Sequence, residues 1–269
     1  MTVRVEIMAI GNELLLGDTL DTNTQWLCQF VTGSGGRVER AVLLPDDRQV
    51  IARELRQALE RKPDLILTTG GLGPTDDDLT LEAVSEALQR PLVINDAARD
   101  LVRRKYTALA EAGYVADAAL TDSRIKMACL PQGSEPVENP VGAAPAVITR
   151  TDQTILINLP GVPAEMKGIV TGPLQPLWHQ LFRQVFRQRE IYALCRDETI
   201  LAPVLRNATS AFPDVYIKSR AREFGPDVRF RITLSTTGPD VPSVEARLDD
   251  AMARLIELLS QAGIGYSPS

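Results

Sequence analysis

Three short apolar runs, each followed by a loop and then by a stretch of helical spacing, constrain this chain more than any other feature. "VRVEIMAI" (3–10) reads as a buried strand, and after its loop "DTNTQWLCQFV" places Trp26, Leu27, Phe30 and Val31 on one helical face. "RVERAVLLP" is a second strand, ended by Pro45. Asp46 with Gln49 there resembles a capping box ahead of Val50, Ile51, Leu55, Ala58 and Leu59. "DLILTTG" is a third, and Leu79, Ala83, Val84, Ala87 and Leu88 mark the helix that follows it. Repeated βα order implies a parallel sheet covered by helices on both faces, an α/β fold of three layers.

The rest of the chain changes character. "AVITR" and "TILINLPG" read as a hairpin pair, and a helix follows Pro163. "TGPLQPLW" has the Gly/Pro density of a boundary. Beyond it come the strand "REIYALC", a helix around "ILAPVLRNA", the strand "DVYIKS", and "VRFRITLS", in which Val228, Phe230, Ile232 and Leu234 alternate. A last helix carries Val244, Leu248, Ala251, Met252, Leu255, Ile256 and Leu259. We expect an α/β domain over 1–170 and a smaller α+β domain over 171–269, an open-faced β-α-β-β-α sandwich.

Ligands of such sheets bind beyond the carboxyl ends of the strands, where "GNELLLGD" (11–18) and "GGLGPTDDD" (70–78) both fall. Glycines between a strand and a helix let backbone N–H groups approach an anion, so Gly70, Gly71 and Gly73 suit a phosphate. A branched side chain at Gly71 is expected to block that ligand and leave the fold largely intact. No GK[ST] follows and no GxGxxG is present, which removes the usual signatures of triphosphate and dinucleotide-redox sites. Three acids beside a phosphate site make sense if a divalent cation lies between them, because such ions share carboxylate, phosphate and water oxygens. Asp77 and Asp78 are the candidate metal ligands. Glu13, Asp21 and Asp78 are the candidate catalytic acids, with Asp18 near them in sequence. The structural readings are that Thr75 with Asp78 caps the next helix, that Asp76 merely complements its dipole, and that Asp21 or Asn23 caps the helix after the first loop.

Other chemistries find little support. His179 is the sole histidine and sits in "PLWHQLFRQV", so no Ser/His/Asp or Cys/His set forms around it. Cys28, Cys129 and Cys195 are far apart and lack CxxC spacing, which disfavours a disulfide framework and a zinc site and points to the cytoplasm. The net charge of −6 and the absence of a strong basic cluster argue against nucleic acid, and no run of roughly 18 apolar residues suggests a membrane span.

Taken together, "GNELLLGDTLDTN", "TTGGLGPTDDDLT", "RIKMACLPQGSEPVENPVG" and "NLPGVPAEM" resemble the CinA-like (competence/damage-inducible) family, and "FPDVYIKS" with "FRITLS" resembles its small second domain. The resemblance implies a MogA/MoaB-like molybdopterin-binding fold and a small-molecule nucleotide or pterin ligand. It further implies a homo-oligomer and hydrolysis of ADP-ribose or FAD with Mg²⁺, Mn²⁺ or Co²⁺, with K⁺ as a further ion. Binding without turnover and adenylyl transfer to molybdopterin are its alternatives. By the same resemblance Glu13 and Asp21 match the first motif. Gly70, Gly71, Gly73, Thr75, Asp77 and Asp78 match the second, and Pro160, Gly161 and Pro163 the last, with Thr75, Gly161 and Pro163 expected to bind the phosphate beside the glycines. Where the family often shows GTAPG this chain has "GAAPA" (142–146), so Ala143 removes a hydroxyl and Ala146 a glycine. The deamidase domain of longer members is not expected.

Overall fold

A computed structural model describes residues 2–195, 197–221 and 229–268. The chain divides into two compact units, one of residues 1–32 and 36–182 and one of residues 33–35 and 183–269.

The first unit opens with strand β1 (Arg4–Ile10), the one-turn helix α1 (Asn12–Leu15), α2 (Thr22–Gly33) and β2 (Arg37–Leu44). It continues through α3 (Arg48–Arg61), β3 (Leu65–Thr69), α4 (Thr80–Leu88), β4 (Leu92–Ile94) and α5 (Asp96–Glu111). Then come α6 (Asp122–Lys126), β5 (Cys129–Pro131), β6 (Glu135–Val137), β7 (Ala146–Arg150), β8 (Ile155–Leu159), α7 (Pro163–Thr171) and α8 (Gln175–Leu181). The main sheet runs β2-β1-β3-β8-β7-β6. Its first four strands are parallel, as the βα repeat requires, and β7 and β6 add an antiparallel edge. A separate β4-β5 ribbon is antiparallel.

Alternation along the strands divides the core between the two faces. Val5, Ile7, Leu65, Leu67, Ile157 and Leu159 pack against Leu27, Val31, Met166, Ile169 and Trp178 of α2, α7 and α8. Met8, Ile10, Ile66 and Leu156 point the other way, onto Ile51, Leu55 and Ala58 of α3 and Ala83 and Val84 of α4. Each Ile or Leu fully buried here contributes on the order of 1.5–3 kcal/mol, which is why α3 forms although few residues outside its apolar stripe favour burial. Its cap is Asp47, whose Oδ1 accepts from Gln49 N and Val50 N at 2.8 and 2.9 Å, and not the expected Asp46. Asp46 is turned instead to the first loop, accepting from Asn12 N at 2.8 Å.

The expected boundary at 170/171 falls short of the observed one at 182/183. "TGPLQPLW", expected as the boundary, is a turn leading into α8 from Gln175 and stays with the first unit, because Leu177 and Trp178 bury in its core and the Trp178 indole N–H donates to Val170 O at 2.8 Å.

The second unit holds β9 (Val185–Leu194), α9 (Glu198–Ala211), β10 (Tyr216–Ala221), β11 (Phe230–Gly238), α10 (Val241–Gln261) and β12 (Gly265–Pro268). Its sheet runs β10-β11-β9-β12, all antiparallel. Ile191, Ala193, Phe230, Ile232 and Leu234 face Leu201, Leu248 and Leu255 of the two helices. This is the expected open-faced sandwich with one strand more, β12, whose "GYSP" lacks apolar alternation. Val228 of the alternating run lies outside the described residues.

Candidate functional site

Strands β1, β3 and β8 are neighbours and parallel, so their carboxyl ends deliver three loops to one edge. There a cavity of about 520 Å³ is lined by Gly11 and Glu13 from the first loop, by Asp46 from the turn after β2, and by residues 70–74, Asp77 and Asp78 from the loop after β3. Pro160, Gly161, Val162 and Glu165 from the third loop and α7 complete the edge, and Tyr106, Met127, Ala143 and Ala144 also line the cavity.

The glycines are dictated by close approach. Gly70 has φ +102° and a Cβ there would lie 2.1 Å from Ile10 O; at Gly71, φ is +67° and the Cβ would meet Thr80 Oγ1 at 2.3 Å. Thr80 Oγ1 in turn donates to Gly70 O at 2.8 Å, and its N–H to Gly71 O at 3.2 Å. These contacts give Gly71 a structural role that the expectation of a largely intact fold after its replacement did not include. Gly161 packs so tightly that its Cβ would stand 3.3 Å from Gly70 Cα. Among the described residues, the N–H groups of Gly71, Leu72 and Gly73 meet no acceptor in the protein. Three consecutive unspent donors are the elements of a backbone anion nest.

The acids divide by role. Asp78 does not cap α4, which starts at Thr80 with Leu79 as its uncapped N-cap. Its Oδ2 accepts from Thr75 N at 2.9 Å and lies 2.6 Å from Thr75 Oγ1, closing the turn in front of the glycines. Thr75 Oγ1 also reaches Asp77 Oδ1, so its one proton is shared between two carboxylates. Asp77's carboxyl is held below its ordinary range, first by the Thr75 hydroxyl, then by its own backbone N–H and by the Lys126 ammonium. Lys126 Nζ itself donates to Thr75 O.

Of the residues expected at the site, Glu13, Gly70, Gly71, Gly73, Asp77, Asp78 and Gly161 share this cavity. Thr75 stands behind it as the partner of the two aspartates, and Pro163 is the first residue of α7. Asp21 is not among the lining residues; its Oδ1 accepts from Thr24 N at 2.9 Å and caps α2. Asn23 is no cap. It is buried, and its Nδ2 donates to Gly161 O at 2.7 Å, tying α2 to the third loop. Exposed His179 on α8 lies outside the cavity lining.

Sequence reasoning passed over Glu165, although it stands in a quoted motif. Asn139 holds it, donating from Nδ2 to Glu165 Oε2 at 2.6 Å while its Oδ1 accepts from Val141 N and Gly142 N at 3.0 and 2.8 Å. A Cβ on Gly142 would collide with that carboxylate at 2.0 Å. Gly142 and Glu165 are thus neighbours 23 positions apart, a signal visible only in three dimensions.

Residues 6–180 match the family described as probable molybdopterin binding domain. A protein of Pyrobaculum calidifontis is 36% identical over 255 residues, covering 94% of this chain and 94% of that protein. One of Pyrobaculum aerophilum is 38% identical over 257 residues, covering 94% and 93%. Among solved structures, the protein CinA with unknown function from Thermoplasma acidophilum shares 35% identity with a TM-score of 0.59, covering 66% of this chain and 98% of its own. The chain belongs to the probable molybdopterin binding domain family, of CinA-like kind.

Proposed function

We propose that the chain is a metal-dependent nucleotide pyrophosphatase, binding a phosphorylated ligand at the strand edge and hydrolysing the phosphoanhydride of a substrate such as ADP-ribose or FAD. The observation that carries this reading is the run of N–H groups at Gly71, Leu72 and Gly73, unspent among the described residues, in the wall of a cavity also lined by Glu13, Asp77 and Asp78. The amino end of α7 adds support: Val162, its N-cap, makes no side-chain cap, and its partial positive charge favours an anion at the same edge.

Asp77 and Asp78 would hold the divalent ion, Mg²⁺, Mn²⁺ or Co²⁺, with K⁺ as a further ion. Among the described residues no three His, Cys, Asp or Glu side chains are grouped to cage a metal, so in this reading phosphate and water oxygens complete the shell, as is usual for Mg²⁺ with nucleotides. The ion, when bound, supplies neutralisation of the phosphates and polarisation of the phosphoryl oxygen. Glu13 then serves to orient or deprotonate water, and Glu165 adds a further carboxylate to the cavity lining. The relevant species is a homo-oligomer in the cytoplasm acting on a small molecule.

A binding module for molybdopterin or a nucleotide, without turnover, is the second reading, with adenylyl transfer to molybdopterin beside it. The observation favouring the module is that Asp77 and Asp78 are both engaged by Thr75, which gives them a structural use of their own. Incubation with ADP-ribose, FAD and NAD, with each metal and with chelator, decides the matter. Metal-dependent release of AMP is expected. Saturable binding with no release selects the module, and neither binding nor release overturns both.

A further inference from the structure

Glu165 is the third residue of α7, where a glutamate ordinarily closes a capping box by accepting from the N-cap N–H. Among the described residues it accepts nothing from Val162 N; its Oε2 is held instead by Asn139 Nδ2 at 2.6 Å. Asn139 is only 7% exposed, and both polar atoms of its side chain are fully engaged. Nδ2 also donates to Ala144 O at 2.9 Å, and Oδ1 accepts from Val141 N and Gly142 N. A buried, saturated carboxamide thus fixes the carboxylate against Gly142, next to Ala143 and Ala144 of the cavity lining and apart from the Thr75 turn that gathers Asp77 and Asp78. Oε1 of Glu165 meets no donor among the described residues. Gly161 packs on Gly70, so the first turn of α7 and the amides of residues 71–73 border the same cavity.

A carboxylate held in place with an open oxygen calls for a donor on the ligand. ADP-ribose and FAD carry their negative charge on phosphate, so the donor reaching Glu165 is an uncharged O–H or N–H. Adenine presents its amino group beside ring nitrogens whose lone pairs would face the carboxylate. The ribose 2′,3′-cis-diol presents two rotatable O–H donors side by side, and an acidic side chain on a ribose hydroxyl is a recurrent arrangement in nucleotide-binding α/β folds. We propose that Glu165 recognises the ribose cis-diol of the nucleotide whose phosphate lies on residues 71–73, with Asn139 as its positioning residue. Resting on the nucleotide reading above, this gives the cavity a preference for ribonucleotides over deoxyribonucleotides.

Calorimetric titration with AMP, 2′-deoxy-AMP and 3′-deoxy-AMP in the presence of Mg²⁺ tests the assignment. The wild type is expected to bind AMP about tenfold more tightly than either analogue, equivalent to about 1.4 kcal/mol. Glu165→Gln keeps an oxygen for Asn139 Nδ2 and turns the open acceptor into an amide donor, so its AMP affinity should fall to that of the analogues, which themselves lose little. Asn139→Asp keeps the acceptor for Val141 N and Gly142 N but withdraws the donor to Glu165, and should lower the AMP preference as well; Glu165→Gln carries the test alone if that variant does not fold. Equal binding of AMP and its analogues by the wild type, or an AMP preference that survives Glu165→Gln, overturns the assignment and leaves the phosphate site standing. An equal loss of all three ligands in Glu165→Gln overturns it too, by making the residue a support of the fold. No binding of any of the three by the wild type overturns the nucleotide reading, and this assignment with it.

Discussion

Residues 70–78 and residues 11–21 leave neighbouring strands at the same edge and spend their polar groups in opposite ways. In the glycine loop, side chains close the turn: Asp77 and Asp78 converge on Thr75, Thr80 Oγ1 binds Gly70 O, and the N–H groups of residues 71–73 meet no acceptor in the protein among the described residues. In the first loop the backbone closes on itself, with Asp18 N and Thr19 N both donating to Glu13 O at 3.0 and 3.2 Å. Its side chains face outward, Leu16 and Leu20 being 74% and 81% exposed. The difference lies in what each loop leaves over for a ligand: main-chain N–H groups at residues 71–73 in the glycine loop, and the carboxylate of Glu13, which lines the same cavity, in the first.

The contrast breaks most easily at Gly71. Gly71→Val sets a branched residue at positive φ and drives its Cβ into Thr80 Oγ1, so a loss of about 2–4 kcal/mol is expected. A lowered thermal midpoint checks it, whereas an unchanged midpoint with lost ligand binding would restore the purely functional view of this glycine. Asp78→Asn keeps a carboxamide oxygen for Thr75 N–H but removes the charge. About 1 kcal/mol of stability is the expected cost, with metal-dependent AMP release falling far more, by on the order of a hundredfold. Parallel melting and release assays on this variant test that separation.

Thr75→Val sharpens the comparison through pH. Asp77's folded-state pKa is depressed chiefly by the Thr75 hydroxyl, so its contribution to stability is present above the ordinary carboxylate pKa and is lost as pH falls through the depressed value. Without the hydroxyl, Asp77 should titrate nearer its ordinary range, as carboxyl carbon NMR would show. The smallest effects belong outside the glycine loop. Leu16→Ser should change stability by under about 0.5 kcal/mol, and His179→Gln should leave turnover within about threefold. A hundredfold loss in the latter, on the scale of a missing general base, would move the chemistry away from the strand edge.

Much of this was readable from residue order because burial is periodic. The three βα units follow from apolar runs such as "DLILTTG", and the glycine and aspartate loop follows from breakers beside acids. What escaped depends on contacts far apart in sequence. Whether Asp46 or Asp47 caps α3 turns on the demand of Asn12 for an acceptor. Asn23 looks like a cap until Gly161 O appears beside it, 138 positions away. Glu165 gains a defined position only from Asn139. The extent of the first unit escaped because "PLW" reads as a breaker until Trp178 finds Val170 O and the aromatic rings of Phe30 and Phe182.

The claim on which the rest depends is that the main chain of residues 71–73 receives the ligand's phosphate. Amide ¹⁵N–¹H spectra recorded while ADP-ribose is titrated in the presence of Mg²⁺ test it residue by residue. The account predicts that the N–H signals of Gly71, Leu72 and Gly73 move together and saturate with a single dissociation constant, as donors acquiring a charged acceptor do. Saturable binding in which these three signals stay in place while others shift would contradict it.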